Sequence, residues 1–305
     1  MNFGFFNLKK MKILKKLTFF IILFQTIVNI NCQYVPMGRS LHTATLIGTK
    51  IFFFGGATGT INGVLQPSGD FFYLDLSNSF DKTTGTLPFV DLSDKALEVP
   101  THFGAAATAF GEPKDSIFLF GGDMGKFNDV QTKLIYLFNS SQLEWEFLVN
   151  VKGNKPEREM VLNAVTDNNN KIYVFGGGFN HEFGIGQTSY VYSGEMNIFD
   201  PINHSWSSGE GGRIGRDGHT ATFLPDTGEI IYIGGINAGT GLIDIANLEI
   251  YDTTSDTWRI QMTVNPPEPR YGHTAVLKNC YIRWSSICYR TASEDSLCSL
   301  RYKVI

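Results

Sequence analysis

The feature that most constrains the fold is a pair of glycines that recurs four times, each time after a short apolar run. The runs are Ile-Phe-Phe-Phe, Ile-Phe-Leu-Phe, Ile-Tyr-Val-Phe and Ile-Ile-Tyr-Ile, and the pairs that follow them are Gly55-Gly56, Gly121-Gly122, Gly176-Gly177 and Gly234-Gly235. Successive pairs lie 66, 55 and 58 residues apart. A repeat of this length, built from short apolar runs, predicts an array of small β-sheet units.

Each repeat contains four segments that read as strands. The first begins with a cation and continues with small and β-branched residues, as in Arg39-Ser-Leu-His42-Thr-Ala, Arg216-Asp-Gly-His219-Thr-Ala and Arg270-Tyr-Gly-His273-Thr-Ala. Repeats two and three diverge here and read Pro100-Thr-His102 and Pro156-Glu-Arg158. The second segment is the apolar run, which is typical of a strand buried on both faces. The third ends in Asp75, Asn139, Asp200 or Asp252, residues that favour turns.

An aromatic residue marks the fourth segment. Trp145, Trp206 and Trp258 each lie six residues after the turn residue, and Phe80 lies one position earlier in the first repeat. A large ring at one fixed position per repeat predicts packing between neighbouring units, and such burial stabilises a fold by several kcal/mol.

The glycine pair, the later tyrosine and the tryptophan about six residues after the turn resemble the Kelch repeat. This resemblance covers about Val35 to Lys278. It implies an all-β, Kelch-type β-propeller like the central domain of galactose oxidase, with four full four-stranded blades and a truncated fifth, an incomplete six- or seven-bladed ring.

The fifth repeat departs from the pattern. It begins with Pro269-Arg270-Tyr-Gly-His273, but no glycine follows Lys278-Asn279 to the end of the chain. We therefore divide the chain into a signal peptide or N-terminal anchor (1–32), Kelch blades (33–279) and an aberrant tail (280–305). The tail suggests an error in the gene structure near Asn279; alternatively it closes the fold through a Cys288 to Cys298 bridge.

The N-terminus predicts export. Five lysines precede an apolar stretch of about 14 residues, Leu17 to Ile30, which is the layout of a secretory signal peptide and short for a membrane span. Removing residues 1–32 leaves 20 basic against 29 acidic residues, which argues against a nucleic-acid-binding protein. The expected location is secreted or at the cell surface, with membrane attachment through an uncleaved leader or a lost C-terminal anchor as the alternative.

No catalytic group or cofactor is predicted. Copper oxidases of the galactose-oxidase type resemble this chain in their blades, but their site requires a Tyr–Cys cross-link and the blade region here has no cysteine between Gln33 and Asn279. His42, His219 and His273 occupy the same place in different repeats, so they are expected to be spread around the ring and to hydrogen-bond neighbouring loops, not to converge on a metal. Arg39, Arg158, Arg216 and Arg270 are expected to pair with acids of their own blades, with a cationic ring at the channel mouth as the alternative.

The loops after the glycine pairs are the predicted binding surface, because variable loops on a rigid scaffold usually carry function. They comprise residues 57–70, 123–131, 178–190 and 236–247 and should share one face. Phe127, His181, Phe183 and Asn237 are the candidate contacts. Two sequons, at Asn139 and Asn203, fall in predicted turns and are candidate glycosylation sites.

These patterns predict a non-catalytic scaffold that binds a protein or a glycan. A carbohydrate-active enzyme of the galactose-oxidase or Kelch sugar-isomerase type is the alternative. Fold alone does not decide between them.

Overall fold

In a computed structural model of the protein, the described residues are 15–16, 34–80, 87–124, 135–179, 190–278, 281–285 and 299–303. They form four four-stranded antiparallel sheets and a three-stranded fifth, so the predicted propeller architecture is confirmed. All of the candidate leader except residues 15–16, all four cysteines, Phe127, His181 and Phe183 lie outside the described residues. Among the described residues, no helix has the length and apolar character needed to cross a membrane.

Blades 1 and 2 consist of consecutive antiparallel strands, numbered here in chain order. The strands of blade 1 are β1 (Thr43–Ile47), β2 (Lys50–Phe54), β5 (Phe71–Asp75) and β6 (Phe89–Asp91). A 3-10 turn, Ser93–Lys95, follows β6. The strands of blade 2 are β7 (Ala106–Phe110), β8 (Ser116–Phe120), β9 (Ile135–Asn139) and β10 (Glu144–Phe147).

Blades 3 and 4 repeat this topology, and the fifth sheet has three strands. The strands of blade 3 are β11 (Asn163–Thr166), β12 (Ile172–Phe175), β15 (Met196–Asp200) and β16 (Ser205–Ser208). The strands of blade 4 are β17 (Thr220–Leu224), β18 (Glu229–Ile233), β21 (Asn247–Asp252) and β22 (Thr257–Met262). The fifth sheet contains β23 (Thr274–Lys278), β24 (Tyr281–Ser285) and β25 (Ser299–Lys303), so ten residues of the tail lie in strands.

Three small hairpins follow the second strands of blades 1, 3 and 4. They pair β3 (Ala57–Ile61) with β4 (Val64–Pro67), β13 (Gly178–Phe179) with β14 (Val191–Tyr192), and β19 (Ile236–Asn237) with β20 (Gly241–Leu242). Because β2 and its equivalents all run in the same direction within their blades, these hairpins emerge on one face of the molecule, which we call the hairpin face. The turns between third and fourth strands lie on the opposite face.

Apolar contact between blades forms the core. The inner strands β1, β7, β11, β17 and β23 contact one another in that order. A separate cluster of buried side chains lies at each of the four joints between neighbouring blades. Trp145 lies 5.0 Å from Phe54 at joint 1–2, Trp206 lies 5.2 Å from Phe120 at joint 2–3, and Trp258 lies 5.1 Å from Phe175 at joint 3–4, measured between ring centroids. Each tryptophan therefore packs on the preceding blade, whereas Phe80 is 38% exposed.

The second glycine of each pair links its blade to the next by a backbone hydrogen bond. We call the residue four positions before each inner strand the lead residue. The N–H of the second glycine donates to the carbonyl of the next lead residue at every joint: Gly56 to His102 (2.8 Å), Gly122 to Glu159 (2.7 Å), Gly177 to Arg216 (2.8 Å) and Gly235 to Arg270 (2.9 Å). Both glycines have positive φ, for example 71° at Gly176 and 92° at Gly177, a conformation that disfavours other residues. An added Cβ on Gly176 would lie 2.5 Å from Cε1 of His219.

A second set of backbone hydrogen bonds links the blades around the channel. Gly104 N–H donates to Leu41, Val161 to Gly104, Gly218 to Val161 and Gly272 to Gly218. All five residues have positive φ, including the non-glycines Leu41 (55°) and Val161 (59°). The neighbouring blades hold this otherwise unfavourable conformation in place.

Candidate hairpin face and channel mouth

The hairpin face is anchored to the segments that lead into the inner strands. Single antiparallel bridges join Ser40 to Ala57, Phe103 to Asp123, Met160 to Gly178 and Asp217 to Ile236. In blade 1, Ser68 also bridges to His102 of blade 2. The loops after the glycine pairs therefore begin on one face, and each begins beside the channel mouth.

These bridges correct the alignment of the third repeat. They make Ser40, Phe103, Met160 and Asp217 equivalent, so the lead residues are Arg39, His102, Glu159 and Arg216. The sequence interpretation placed Arg158 in this set, which was wrong by one position. The turns between first and second strands differ in length, so counting back from the glycine pair does not give the register.

Two lead arginines pair with acids of their own blades, as expected. The Arg39 guanidinium donates to Asp70 (2.6 Å) and to the carbonyl of Gly55 (3.0 Å). The Arg216 guanidinium donates to Glu249 and to the carbonyl of Gly234. Arg216 is 1% exposed, so its charge neutralises an acid inside the blade and is not presented to a ligand at the mouth.

Glu159 carries the lead position of blade 3 and is 6% exposed. Burial raises the pKa of this carboxyl to about 8, because a charged form inside the protein loses its hydration. A hydrogen bond from Ser193 works against that rise, while the negative charges of Glu195 and Glu157 add to it. The protonated form of the Glu159 carboxyl is therefore favoured at neutral pH. The residue lies at the joint between blades 2 and 3.

Tyrosines and a carboxylate border the mouth between blades 3 and 4. The Tyr190 hydroxyl donates to Asp217 (2.8 Å), and the Tyr190 ring lies edge-on to Tyr192 at 4.8 Å. Burial raises the pKa of Asp217, and burial together with Asp217 raises the pKa of Tyr190. Tyr190 ends the predicted 178–190 loop, but sequence reasoning did not single out Glu159 or Asp217, since their lead-segment positions follow from the register of the bridges.

The inner strands line a groove of about 590 Å³. Its walls are mostly small side chains such as Ala44, Ala107, Ala164 and Ala221, with Thr43 and Asn163 among the polar ones. In the described residues, no group of three or more His, Cys, Asp or Glu side chains could hold a metal ion.

The candidate histidines lie in different blades. His42, His219 and His273 occupy blades 1, 4 and 5, each immediately before the inner strand. Thr220 of blade 4 lies within hydrogen-bond distance of the His273 ring (3.3 Å), which joins it to a neighbouring blade. Both ring nitrogens of His219 are buried without a hydrogen-bond partner among the described residues, so the expected bond to a loop is not seen there.

Asn237 is the candidate contact that the structure describes. Its side-chain amide donates to the carbonyl of Gly215 (2.5 Å), and its carbonyl oxygen accepts from the N–H of Gly239 (2.8 Å). Both polar groups of the side chain thus hold the β19–β20 hairpin on the blade. Asn237 therefore supports the backbone of the hairpin face through its own hydrogen bonds.

The two sequons lie in turns on the opposite face. Asn139 ends β9 and is half-buried; its Oδ1 accepts from the N–H groups of Ser141 and Gln142. Asn203 lies between β15 and β16, is exposed, and donates to Asp200 (2.9 Å).

Comparison with known proteins gives matches to Kelch proteins. A family profile described as the KLHDC2/KLHL20/DRC7 Kelch-repeats domain matches residues 104–291, more than half of the chain. Kelch domain-containing protein 3 of Bos taurus is 25% identical over 240 residues, which cover 77% of this chain and 57% of that protein. The Rattus norvegicus protein of the same name is 26% identical over 207 residues, which cover 67% of this chain and 49% of that protein.

A third relative is an enzyme. The N-(sulfonatooxy)prop-2-enimidothioate sulfolyase of Thlaspi arvense is 24% identical over 146 residues, covering 47% of this chain and 36% of that protein. The chain thus spans between about a third and three fifths of the length of these relatives. With repeated blades, glycine hydrogen bonds between blades and a family match over most of its length, the chain belongs to the KLHDC2/KLHL20/DRC7 Kelch-repeats domain family.

Proposed function

We propose that this Kelch-repeat scaffold is non-catalytic and binds a protein partner through its hairpin face. The observation that carries the proposal is a set of apolar side chains exposed at the hairpin tips. Ile61 and Val64 are 61% and 65% exposed on the β3–β4 hairpin, and Leu242 is 45% exposed on β20. Near the channel mouth, Tyr271 is 59% exposed.

The physical support is preorganisation. Asn62 and Gly63 both have positive φ, the backbone of a tight two-residue hairpin turn, and the hairpins start at bridges to the lead segments. A loop that is already held in one conformation loses little entropy on binding. Exposed apolar and aromatic groups on such loops favour a protein surface over a glycan.

Site-specific photo-cross-linking tests this proposal. A cross-linking amino acid at position 61 or 242 should capture the same partner, while one at Ile202, which is 80% exposed on the opposite face, should not. With the purified partner, Leu242→Asp should weaken binding at least about 10-fold, and Ile202→Asp should leave it unchanged. Equal capture at position 202, or binding to a glycan array that survives Leu242→Asp, would contradict the proposal.

We also propose that the protein is exported and glycosylated. The support is the layout of residues 1–32 and the exposure of Asn203 on the face opposite the hairpins, where a glycan leaves the hairpin face accessible. Glycosidase treatment of the secreted protein should reduce its mass, and Asn203→Gln should remove most of that change. The half-buried Asn139 should contribute less, which Asn139→Gln measures. Retention inside the cell without any mass change counts against export.

An enzyme is the second candidate: the likeness to the sulfolyase favours a lyase, and the carbohydrate-active enzyme predicted from the sequence is tested beside it. It is tested by turnover of N-(sulfonatooxy)prop-2-enimidothioate, the compound named for the relative, or of oxidisable sugars by the purified chain. Turnover that persists after Leu242→Asp but is lost after changes in the groove would favour the enzyme.

A further inference from the structure

A histidine ring fills the space beside the first glycine of the pair at three of the four joints. A Cβ added to Gly55 would lie 2.5 Å from Nε2 of His102, and one added to Gly234 would lie 2.8 Å from Cε1 of His273. At Gly176 the corresponding ring is His219, at 2.5 Å. The three histidines are 0%, 7% and 3% exposed, respectively. Each ring is thus clamped between its own blade and the backbone of the preceding one.

Joint 2–3 is built differently. There the space beside Gly121 is filled by Leu162, whose Cδ2 would lie 3.2 Å from an added Cβ. The hydrogen bond from the second glycine is the same as at the other joints. Among the described residues, joint 2–3 therefore has no histidine beside its first glycine and serves as an internal comparison.

The surroundings of the rings oppose protonation. His219 packs on Phe175 (5.6 Å) and Tyr232 (5.8 Å), and the charged groups acting on it are Arg216 and His273, with Glu249 engaged by Arg216. Burial, together with the charge of Arg216 and repulsion from the His273 ring when that ring is protonated, lowers the pKa of His219 to about 3.

The pKa values of the other two histidine rings are also lowered. Burial and the charge of Arg270 lower the pKa of His273 to about 4. Burial lowers the pKa of His102 to about 4, although its Nδ1 lies 2.9 Å from the carbonyl of Pro100, which favours the charged form; the ring also lies edge-on to Phe54 at 4.6 Å.

We propose that protonation of His102, His219 and His273 opens joints 1–2, 3–4 and 4–5 in acid, while joint 2–3 stays closed. In the closed joint each ring stays neutral well below its usual range. In an opened joint the ring is hydrated and takes up a proton at its ordinary value of about 6.5. The opened state therefore binds more protons as the pH falls below about 6.5, and this drives opening. This pH response follows from the packing of the joints and does not depend on the proposed binding function.

Each of three joints contains its own tryptophan reporter. Three full-length variants that each keep one of Trp145, Trp206 and Trp258, with the remaining tryptophans changed to Phe, report joints 1–2, 2–3 and 3–4. In a fluorescence titration from pH 8 to pH 3, the emission of Trp145 and Trp258 should shift to longer wavelength at higher pH than that of Trp206. Coincident shifts of all three would mean global acid unfolding and overturn the proposal.

The matched substitution places at joint 3–4 the leucine that fills the same space at joint 2–3. His219→Leu should lower the pH midpoint of the Trp258 shift by about one unit or more and leave Trp145 unchanged. Leu162→His should give Trp206 a new transition in acid. An unmoved Trp258 midpoint in His219→Leu refutes the mechanism.

Hydrogen exchange on the unmodified protein covers the case in which a variant does not fold. After correction for the intrinsic pH dependence of exchange, peptides containing Gly56 and Gly177 should lose protection between pH 6 and pH 4. The peptide containing Gly122 should retain its protection over that range. Equal loss at Gly122 and Gly177 contradicts the proposal.

Discussion

Blades 1 and 4 begin with the same residue in the same hydrogen-bonded position, yet its surroundings differ. Arg39 and Arg216 each donate to the carbonyl of the first glycine and to an acid of their own blade. The side chain of Asp70, the partner of Arg39, is 37% exposed, whereas that of Glu249, the partner of Arg216, is 9% exposed. The same local motif is thus half-solvated in one blade and enclosed in the other.

The two acids lie at different places in their blades, since Asp70 precedes β5 whereas Glu249 lies within β21 opposite Tyr232. The neighbouring blades differ as well. Blade 4 lies between blades 3 and 5, and Phe223 on its inner strand packs into the joint with blade 3. At the equivalent position of blade 1, Leu46 is 57% exposed, because no described blade covers that side. The place of the acid in its blade and the cover given by neighbouring blades together set the dielectric environment of the ion pair and hence its energetic weight.

The largest effect is expected from breaking the enclosed ion pair between Arg216 and Glu249. Arg216→Leu leaves the carboxylate of Glu249 buried without its partner and should reduce the free energy of unfolding by about 3 to 5 kcal/mol. Arg39→Leu should cost about 1 kcal/mol, since water can solvate Asp70. Denaturant titration measures both. The double change Arg216→Leu/Glu249→Leu is the control and should recover much of the loss; equal effects of the two single changes would show that burial does not distinguish the blades.

Blade 3 extends the comparison, because its lead residue is an acid. The folded-state pKa of Glu159, about 8, lies above its ordinary value of 4.5, so the unfolded state releases the proton first as the pH rises. This group therefore destabilises the fold progressively between about pH 4.5 and pH 8, and the penalty is complete above pH 8. Glu159→Gln should raise stability at pH 9 by about 2 kcal/mol and have little effect at pH 4.

Denaturant titrations of Glu159→Gln at pH 4, 7 and 9 test this prediction. Glu195→Gln removes a nearby carboxylate whose charge adds to the raised pKa of Glu159, so it is the matched control and should show a smaller pH dependence. A constant difference between wild type and Glu159→Gln at all three pH values would contradict the assigned role.

The smallest effect concerns one hydroxyl. Tyr232 in blade 4 occupies the position of Phe53 in blade 1, and its buried hydroxyl has no hydrogen-bond partner among the described residues. Since an unsatisfied buried donor is costly, Tyr232→Phe should stabilise the protein by up to about 1 kcal/mol. Thermal unfolding measures the change, with Tyr251→Phe as a control that should destabilise because the Tyr251 hydroxyl donates to Asp256. A loss of stability in Tyr232→Phe would show that its hydroxyl is satisfied.

Much of the fold follows from local patterns. The apolar runs, the turn residues at Asn139, Asp200 and Asp252, and the recurring tryptophans mark strands whose order the structure reproduces. The family match extends to residue 291, beyond Asn279 where the glycine pattern stops. Whether the tail arises from an error in the gene structure stays a prediction.

The candidate site was less predictable. The one-residue error at Arg158 arose because turn lengths vary between repeats, and a shift of one residue moves a side chain to the other face of a strand. Glu159, Asp217 and Tyr190 carry no local signature, since their shared position depends on bridges between distant segments. Asn237 stood out as a loop residue, but its hydrogen bonds show that it supports the hairpin from inside.

The sequence by itself determined the repeat, the strand order and the class of fold, because these depend on residue periodicity and on short-range turn chemistry. Only the tertiary structure decided what the repeated residues do. The glycine pairs hydrogen-bond to the next blade, and the His219 ring is buried beside Gly176 at a joint. The ion pairs of Arg39 and Arg216 differ in their exposure to solvent. The physical reason is that desolvation and close packing come from neighbouring blades far away along the chain.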